Sequence, residues 1–147
     1  MTPPELVHIA MMQARIGDDQ FLIPNGPMGS RLIAEVIDVV IEGERLNARM
    51  VGKSCADWAT VGPDGSYAAL DVRVTLKTDD DVILYCEYGG RLDFASSRAV
   101  TSPLFQCGDE KYDWLNRIQV IGDGIYDEST QILTYQLYEV RPMQATA

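Results

Sequence analysis

Histidine and cysteine are scarce in this chain. Among its 147 residues stand one histidine, His8, and three cysteines, Cys55, Cys86 and Cys107, with no CxxC spacing. A zinc or iron site built on imidazole ligands is therefore close to excluded, and we expect no metal and no other cofactor. An odd number of cysteines without paired spacing is typical of reduced thiols, which predicts a cytoplasmic protein.

The sequence also lacks the segments that carry a protein into or through a membrane. It shows no signal peptide, and no apolar run approaches the roughly 20 residues of a membrane-spanning helix. The net charge is −10, and so acidic a surface repels phosphate backbones and anionic lipids. We therefore expect neither nucleic acid nor a membrane as a partner. Solubility alone accounts for the acidity.

Several familiar catalytic motifs are missing as well. Neither GxGxxG, GxxxxGK[ST] nor GxSxG occurs in the sequence. His8 has no evident triad around it, and the thiols have no visible activating base. Residues 79–81 are three consecutive aspartates, which lack the alternating spacing around a glycine that a calcium loop needs. Any chemistry must therefore come from other polar side chains.

Short strand-like segments separated by turn residues make up most of the chain. With 46% hydrophobic residues, its length predicts one domain, with a core over residues 5–141 and frayed ends. Nine or ten strands with turns at these spacings are typical of sandwiches and barrels. Glycine and proline are dense over residues 16–30, which predicts a long loop near the N-terminus. Gly122-Asp123-Gly124 predicts the turn between the last two strands.

The clearest hairpin lies between Cys55 and Asp80. Its turn is Gly62-Pro63-Asp64-Gly65, in which proline presets one dihedral angle and glycine supplies the left-handed one. The strand over residues 67–78 alternates between apolar side chains on one face and polar side chains on the other. Because successive side chains point to opposite faces, Asp71 and Arg73 share a face.

Polar and aromatic side chains within the strand-like segments are the candidates for a site. Asp57 or Asp71 is the candidate general base, and Arg73 is the candidate to orient a ligand or stabilise an oxyanion. The candidate ligand-binding residues are Trp58, Tyr85, Tyr112, Trp114 and Asn116. Strand alternation predicts that the last three share one face. Each of these residues also has a plain structural interpretation, as core filling, a surface ion pair or a cap.

Together these segments resemble the DUF3237 family, also called UPF0311. The resemblance runs from about Leu6 to Val140. The segments that carry it are Ala56-Asp57-Trp58, Pro63-Asp64-Gly65, residues 70–80, Leu84-Tyr85, Pro103-Leu104-Phe105, residues 112–116 and Val120-Ile121-Gly122. The resemblance implies a small antiparallel β-barrel similar to the calycins. It implies no general activity, although the eight candidate residues fall on motif positions of the family.

The leading functional hypothesis is a cofactor-independent enzyme of the lyase, isomerase or cyclase type. It would act by acid/base chemistry on a small aromatic or carbonyl-containing molecule inside the barrel. The alternative is a non-catalytic binding or carrier barrel, which a purely apolar lumen would favour. A third interpretation is a homodimer that pairs through the apolar face of residues 67–78. The deciding observation is whether Asp57, Asp71 and Arg73 face a cavity or water.

Overall fold

The computed structural model describes residues 2–143, and the predicted fraying of the two ends falls partly on residues outside this range. Ten strands are present: β1 (Glu5–Gly26), β2 (Gly29–Glu42), β3 (Ala48–Met50), β4 (Ala56–Val61), β5 (Tyr67–Thr78), β6 (Ile83–Asp93), β7 (Arg98–Thr101), β8 (Leu104–Cys107), β9 (Gln119–Asp127) and β10 (Ile132–Arg141). A 3₁₀ turn (Glu110–Tyr112) and one helical turn, α1 (Asp113–Asn116), precede β9. No helix within residues 2–143 is long and apolar enough to cross a membrane.

The strands form one antiparallel sheet that closes into a ring. Its order is β5-β4-β2-β1-β10-β9-β7-β6, and pairing between β5 and β6 completes the circle. β3 lies between β2 and β5 beyond the end of β4, and β8 pairs with β6 beyond the end of β7. The prediction of an all-β antiparallel barrel is confirmed.

Strict alternation along β5 separates the inside of the barrel from the outside. The apolar side chains of this strand are buried in the lumen: Leu70, Val72, Val74 and Leu76. Asp71 and Arg73 lie between them in sequence and are exposed on the outer face. The interpretation of the apolar face as a dimer interface is therefore wrong, because these side chains are already buried within one chain.

The two ends of the barrel differ. We call the end where β5 begins and β6 finishes the open end, and the other the closed end. Large side chains with under 2% exposure fill the half of the lumen toward the closed end: Met12, Ile41, Leu46, Leu76, Leu84, Leu115 and Leu137. Each such burial contributes about 2 kcal/mol from the removal of apolar surface from water. The packed half therefore supplies much of the stability.

The prediction of a long loop near the N-terminus is wrong. β1 continues through this segment to Gly26 and pairs with β2 in a hairpin. A register shift between Ile16 and Gln20 absorbs Gly17-Asp18-Asp19, which is how a strand accommodates residues that do not fit the ladder. The turn itself needs only Asn25 and Gly29, which have positive φ angles of 54° and 94°.

The prediction that Tyr112, Trp114 and Asn116 share one face of a strand is also wrong. The Asp109 side chain accepts a hydrogen bond from the Lys111 backbone N–H at 2.8 Å and caps the 3₁₀ turn that leads into α1. Tyr112, Trp114 and Asn116 therefore lie on a helical segment and do not alternate on one strand face. The predicted turn at residues 122–124 lies inside β9 instead.

Candidate functional site

A cavity of about 130 Å³ lies inside the open end of the barrel. Its walls are mainly apolar, and the lining residues are Ile16, Gln20, Leu32, Ala34, Asp57, Ala59, Ala68, Leu70, Leu92, Phe94, Ser97, Tyr126 and Leu133. A cavity of about 150 Å³ holds one benzene molecule. The space is therefore suited to one ring or a group of similar size.

Asp57 is the one carboxylate among these lining residues. It lies on β4 on the same face as buried Ala59, whereas Trp58 between them points outward. The pairing of β4 with β5 skips Trp58 and Ala59, and within this gap the backbone N–H of Asp71 donates to Asp57 Oδ1 at 3.0 Å. Asp57 Oδ2 makes no hydrogen bond to any residue in the range 2–143. One oxygen is held by the sheet and the other is available to a ligand.

The position of Asp57 makes it a stronger base than an ordinary aspartate. The pKa of its carboxyl group rises from 3.8 to about 6, mainly because the group is buried; the hydrogen bond from the Asp71 N–H opposes this rise, and the nearby charge of Asp71 adds to it by a smaller amount. A base with a pKa just below neutrality is ionised at pH 7 and still accepts a proton readily. Asp57 therefore has the properties of a general base.

Two buried tyrosines lie deeper in the lumen. Tyr88 on β6 and Tyr135 on β10 pack edge to face, with ring centroids 5.8 Å apart. Burial is the main cause that raises the pKa of both hydroxyl groups; the neighbouring Tyr135 raises that of Tyr88 further, and for Tyr135 the charge of Asp57 raises the pKa while Tyr88 lowers it. Both phenols are therefore neutral at physiological pH and able to donate hydrogen bonds.

Two glycines of β9 make room for this part of the lumen. A Cβ atom at Gly124 would lie 2.5 Å from Cδ1 and Cε1 of Tyr135. A Cβ atom at Gly122 would lie 2.5 Å from Thr101 Oγ1 and 3.3 Å from Tyr135 Cδ1. The Tyr135 ring and the Thr101 hydroxyl thus occupy space that any larger residue at these positions would fill.

The other two predicted catalytic residues lie outside the barrel. Asp71 and Arg73 share a face, as predicted, but it is the solvent-exposed face of β5. Arg73 is opposite Glu87 on β6, and the Tyr85 hydroxyl on the same outer surface donates to Glu87 Oε2 at 2.7 Å. The expectation that Asp71, Arg73 and Tyr85 surround a ligand together with Asp57 is not met, because alternation directs them away from the lumen.

Trp58 also faces outward. Its side chain is 48% exposed. In register it is paired with Ile33 on β2, which is in turn paired with Phe21 on β1, so the three form one apolar row on the outer surface. Stacking of Trp58 on a ligand inside the lumen is therefore ruled out by its orientation.

Tyr112 belongs to the closed end of the barrel. Its hydroxyl donates to Asp80 Oδ1 at 2.6 Å, and the Thr78 hydroxyl donates to the same atom at 2.6 Å. Lys111 Nζ donates to Asp80 Oδ2 at 2.6 Å. These bonds lower the pKa of Asp80, that from Lys111 most strongly. Tyr112 thus ties the helical segment to the β5–β6 turn and does not reach the cavity.

Trp114 and Asn116 have structural contacts in the same region. The Arg45 guanidinium lies over the Trp114 ring, 3.8 Å from its centroid. The Asn116 side chain accepts from the Cys107 backbone N–H and donates to the Cys107 carbonyl, each at 2.8 Å. Asn116 thus pairs with β8 as a neighbouring strand would. Neither residue is close to Asp57.

Sequence reasoning missed the polar residues of the inner lumen. Tyr135 stands between Leu133 and Leu137 on the inward face of β10, and Tyr88 follows Leu84 and Cys86 on the inward face of β6. The available signal was a hydroxyl-bearing side chain in an otherwise apolar alternating series.

The two buried thiols are poorly suited to act as nucleophiles. Burial raises the pKa of Cys55 to about 12, with a smaller contribution from Asp57, and raises that of Cys86 further. Both are therefore protonated and poor nucleophiles. Over residues 2–143, no three His, Cys, Asp or Glu side chains come together as a metal site would require.

Comparison with solved structures shows the same barrel in other proteins. A beta-barrel-like protein from Acinetobacter baumannii AYE has a TM-score of 0.83 and 21% identity, over 96% of this chain and 98% of that one. A conserved protein of unknown function from Rhodopseudomonas palustris has a TM-score of 0.83 and 20% identity, over 95% and 99%. An enzyme from Penicillium herquei has a TM-score of 0.73 and 18% identity, over 96% and 97%. At these identities the likeness concerns the fold.

Comparison of the sequence with curated proteins finds no match. The model of one family, described as a protein of unknown function, matches residues 4–140, which is nearly the whole chain. The barrel, and the order of motifs along it, agree with that match. The chain therefore belongs to the DUF3237 family.

Proposed function

We propose that this protein is a cofactor-independent enzyme of the lyase, isomerase or cyclase type. Asp57 acts as the general base on a small aromatic or carbonyl-containing molecule bound in the cavity. One observation carries the proposal: a carboxylate with a pKa of about 6 faces a cavity whose walls are otherwise mainly apolar. Perturbed titratable groups of this kind cluster at functional sites.

The geometry of Asp57 suits proton transfer in both directions. Oδ1 is held by the Asp71 N–H, which fixes the orientation of the carboxylate, and Oδ2 accepts a proton from the ligand. Asp57 in its protonated form then returns that proton to another atom of the same molecule. Isomerisation, elimination and ring closure by addition all balance on this single proton. None of them needs an oxidant or a reductant.

The carboxylate favours an enzyme over a carrier. A carrier gains nothing from a charged group in an apolar lumen, since burial of that charge disfavours the folded state. The description of the Penicillium herquei protein as an enzyme supports the same choice for this fold. The calycin-like mode of binding, with the ligand inside the lumen, is part of the proposal.

Proton exchange into a carbon acid tests the proposal directly. We would incubate the protein with acetophenone, phenylacetone or 1-indanone in D₂O and follow deuterium incorporation next to the carbonyl by NMR. We expect protein-dependent exchange with at least one ketone, and a loss of about 100-fold or more in Asp57→Asn, the usual contribution of a general base. Arg73→Gln is the matched control, because Arg73 is exposed on the outer face.

Two outcomes would overturn the proposal. One is the absence of exchange above the buffer rate for all three ketones. The other is equal exchange by Asp57→Asn and the unaltered protein. Loss of exchange in Arg73→Gln would instead move the reacting group to the outer surface.

A further inference from the structure

We infer that the hydroxyl group of Tyr126 binds the carbonyl oxygen of the ligand from the wall of the cavity opposite Asp57. The ligand is an uncharged, ring-sized ketone or aldehyde, held between the carboxylate on one side and the phenol on the other. This inference rests on the proposed function, because it assigns the second wall of the same cavity.

Asp57 and Tyr126 lie on opposite walls of the barrel. In the closed order β5-β4-β2-β1-β10-β9-β7-β6, three strands separate β4, which carries Asp57, from β9, which carries Tyr126, in either direction around the ring. Both residues line the same cavity. The interior of an eight-stranded barrel is wide enough for one small ligand. A single molecule in this space therefore meets both walls.

Alternation along β9 directs the Tyr126 ring into the lumen. Tyr126 shares the inward face with the buried Gly124, whereas Ile125 between them is 48% exposed on the outward face. The ring is half-buried and packs against the core. On β10 it is paired in register with Leu133, which also lines the cavity. On the other side the Tyr126 N–H donates to the Ser97 carbonyl at 2.9 Å, so both neighbours fix its position.

The Tyr126 hydroxyl is a neutral donor. Burial raises the pKa of Tyr126, and the charges of Glu128 and Asp127 raise it further by smaller amounts, with no hydrogen bond among the causes. The phenol is therefore protonated at physiological pH, and its O–H is available to an acceptor on the ligand. A carbonyl oxygen is such an acceptor.

The charge of the cavity restricts the ligand further. No lysine or arginine is among the residues that line the cavity, and Asp57 is negative at neutral pH. A ligand carboxylate or phosphate would meet a like charge without compensation. The other polar side chains of the lining, Gln20, Ser97 and Tyr126, are neutral. The ligand class is therefore an uncharged carbonyl compound with one ring.

The placement of Tyr126 also completes the electron balance of the reaction. Asp57 removes a proton from the carbon next to the carbonyl, the C–H electron pair becomes the new C=C bond, and the carbonyl electron pair moves onto oxygen. The Tyr126 hydroxyl donates a hydrogen bond to that oxygen, which strengthens as its negative charge grows. Tyr126 is thus assigned to the oxygen, and Asp57 to the proton.

Equilibrium binding of two matched compounds tests the inference. Acetophenone and cumene have nearly the same shape, and acetophenone can accept a hydrogen bond whereas cumene cannot. We would measure the Kd of each compound by ligand-observed NMR for the unaltered protein, Tyr126→Phe and Tyr138→Phe. The preference for acetophenone over cumene should fall about fivefold in Tyr126→Phe, as the loss of one hydrogen bond predicts. Tyr138→Phe is the matched control, because Tyr138 is also half-buried but packs edge to face on His8 at the outer surface of β10.

An unchanged preference in Tyr126→Phe would overturn the inference, as would an equal loss in Tyr138→Phe or the absence of any preference for acetophenone in the unaltered protein. Carbon-13 labelling of tyrosine Cζ provides a second readout in the unaltered protein. The Tyr126 signal, identified by its loss in Tyr126→Phe, should shift more with acetophenone than with cumene. Equal shifts with the two compounds would also overturn the inference, because both rings would then act on Tyr126 in the same way.

Asp57→Asn separates failure of this inference from failure of the proposed function. This variant should keep the acetophenone preference, since the oxygen contact comes from the opposite wall. If Asp57 is not a base, deuterium exchange is equal in Asp57→Asn and the unaltered protein while the preference still depends on Tyr126. If the inference is wrong, exchange still requires Asp57 while the preference is the same with and without the Tyr126 hydroxyl.

Discussion

The backbone N–H of Asp71 donates to Oδ1 of Asp57 at 3.0 Å, although the two carboxylates point to opposite faces of the sheet. The two aspartates are therefore coupled through the barrel wall. Asp57 meets the cavity, and Asp71 meets water while its charge still raises the pKa of Asp57. Two of the following predictions test Asp57, which faces the cavity, and Asp71, which faces water.

Asp57→Asn should stabilise the protein above pH 6. The pKa of Asp57 rises from 3.8 to about 6 on folding, so the stability linked to this group is fully present below about pH 4 and is lost as pH rises through 6. Two pKa units correspond to at most about 3 kcal/mol in the free energy of unfolding. The asparagine keeps an acceptor oxygen for the Asp71 N–H. Urea denaturation at pH 4 and pH 8 measures the difference.

Asp64→Asn is the control of opposite sign for that experiment. Hydrogen bonds from Ser66 lower the pKa of the exposed Asp64, so its contribution to stability is present at neutral pH and lost as pH falls. Asp64→Asn should therefore be less stable than the unaltered protein at pH 8. A fall in stability of Asp57→Asn at pH 8 would contradict the buried carboxylate with a raised pKa described above.

Asp71→Asn should shift the pH profile without removing activity. The substitution keeps the backbone N–H that holds Asp57 and removes a like charge, so the pKa of Asp57 moves down. In the deuterium-exchange assay the rising limb near pH 6 should move to lower pH, while the plateau rate should stay within about threefold, since only a solvent-exposed charge is lost. Loss of the plateau would restore Asp71 as a catalytic candidate.

Gly124→Ala should destabilise the protein and displace Tyr135. The added Cβ would lie 2.5 Å from two carbons of the Tyr135 ring, and overpacking of this kind costs about 1–3 kcal/mol. Thermal denaturation measures the loss. Gly108→Ala is the control, because no atom lies within 4 Å of the added Cβ there. Equal Tm values for the two variants would mean that the ring does not rest on Gly124.

Asp80→Asn should weaken the closed end of the barrel most strongly at neutral pH. The Lys111, Thr78 and Tyr112 bonds lower the pKa of Asp80, so its stabilisation is present above about pH 4 and disappears as pH falls further. The difference in Tm between the unaltered protein and Asp80→Asn should shrink from pH 7 to pH 3. Asp79→Asn, next to it, is the matched control and should lower Tm less, because the Lys111, Thr78 and Tyr112 bonds are made to Asp80.

The strand pattern of β5 illustrates how far the sequence could be interpreted. Alternation over residues 67–78 correctly predicted the strand and the shared face of Asp71 and Arg73. It could not say which face was the lumen, since an apolar face is explained equally well by a core or by an interface. Closure of the ring decided this point, and closure depends on pairing between β5 and β6 and between strands far apart in sequence.

Residues 112–116 are a case in which the sequence pattern predicted the wrong type of element. Their alternating aromatic pattern is suited to a strand, but the Asp109 cap and the Asn116 pairing with Cys107 form a helical turn. Local hydrogen bonds from side chains overrode the pattern. Asp57 was predicted because it is a carboxylate in a strand. Tyr135 was missed because a tyrosine among leucines is more often part of a core.

The packed half of the lumen closes one end of the barrel, so the cavity is entered from the open end. Side chains such as Leu46, Leu84 and Leu115 fill the barrel toward the closed end, so a molecule inside the open end cannot pass through to the other side. In the proposed reaction, product must leave by the route that substrate uses, and one ring-sized space cannot hold both. We therefore expect product to compete directly with substrate, and release of product to limit the number of turnovers per second when product accumulates.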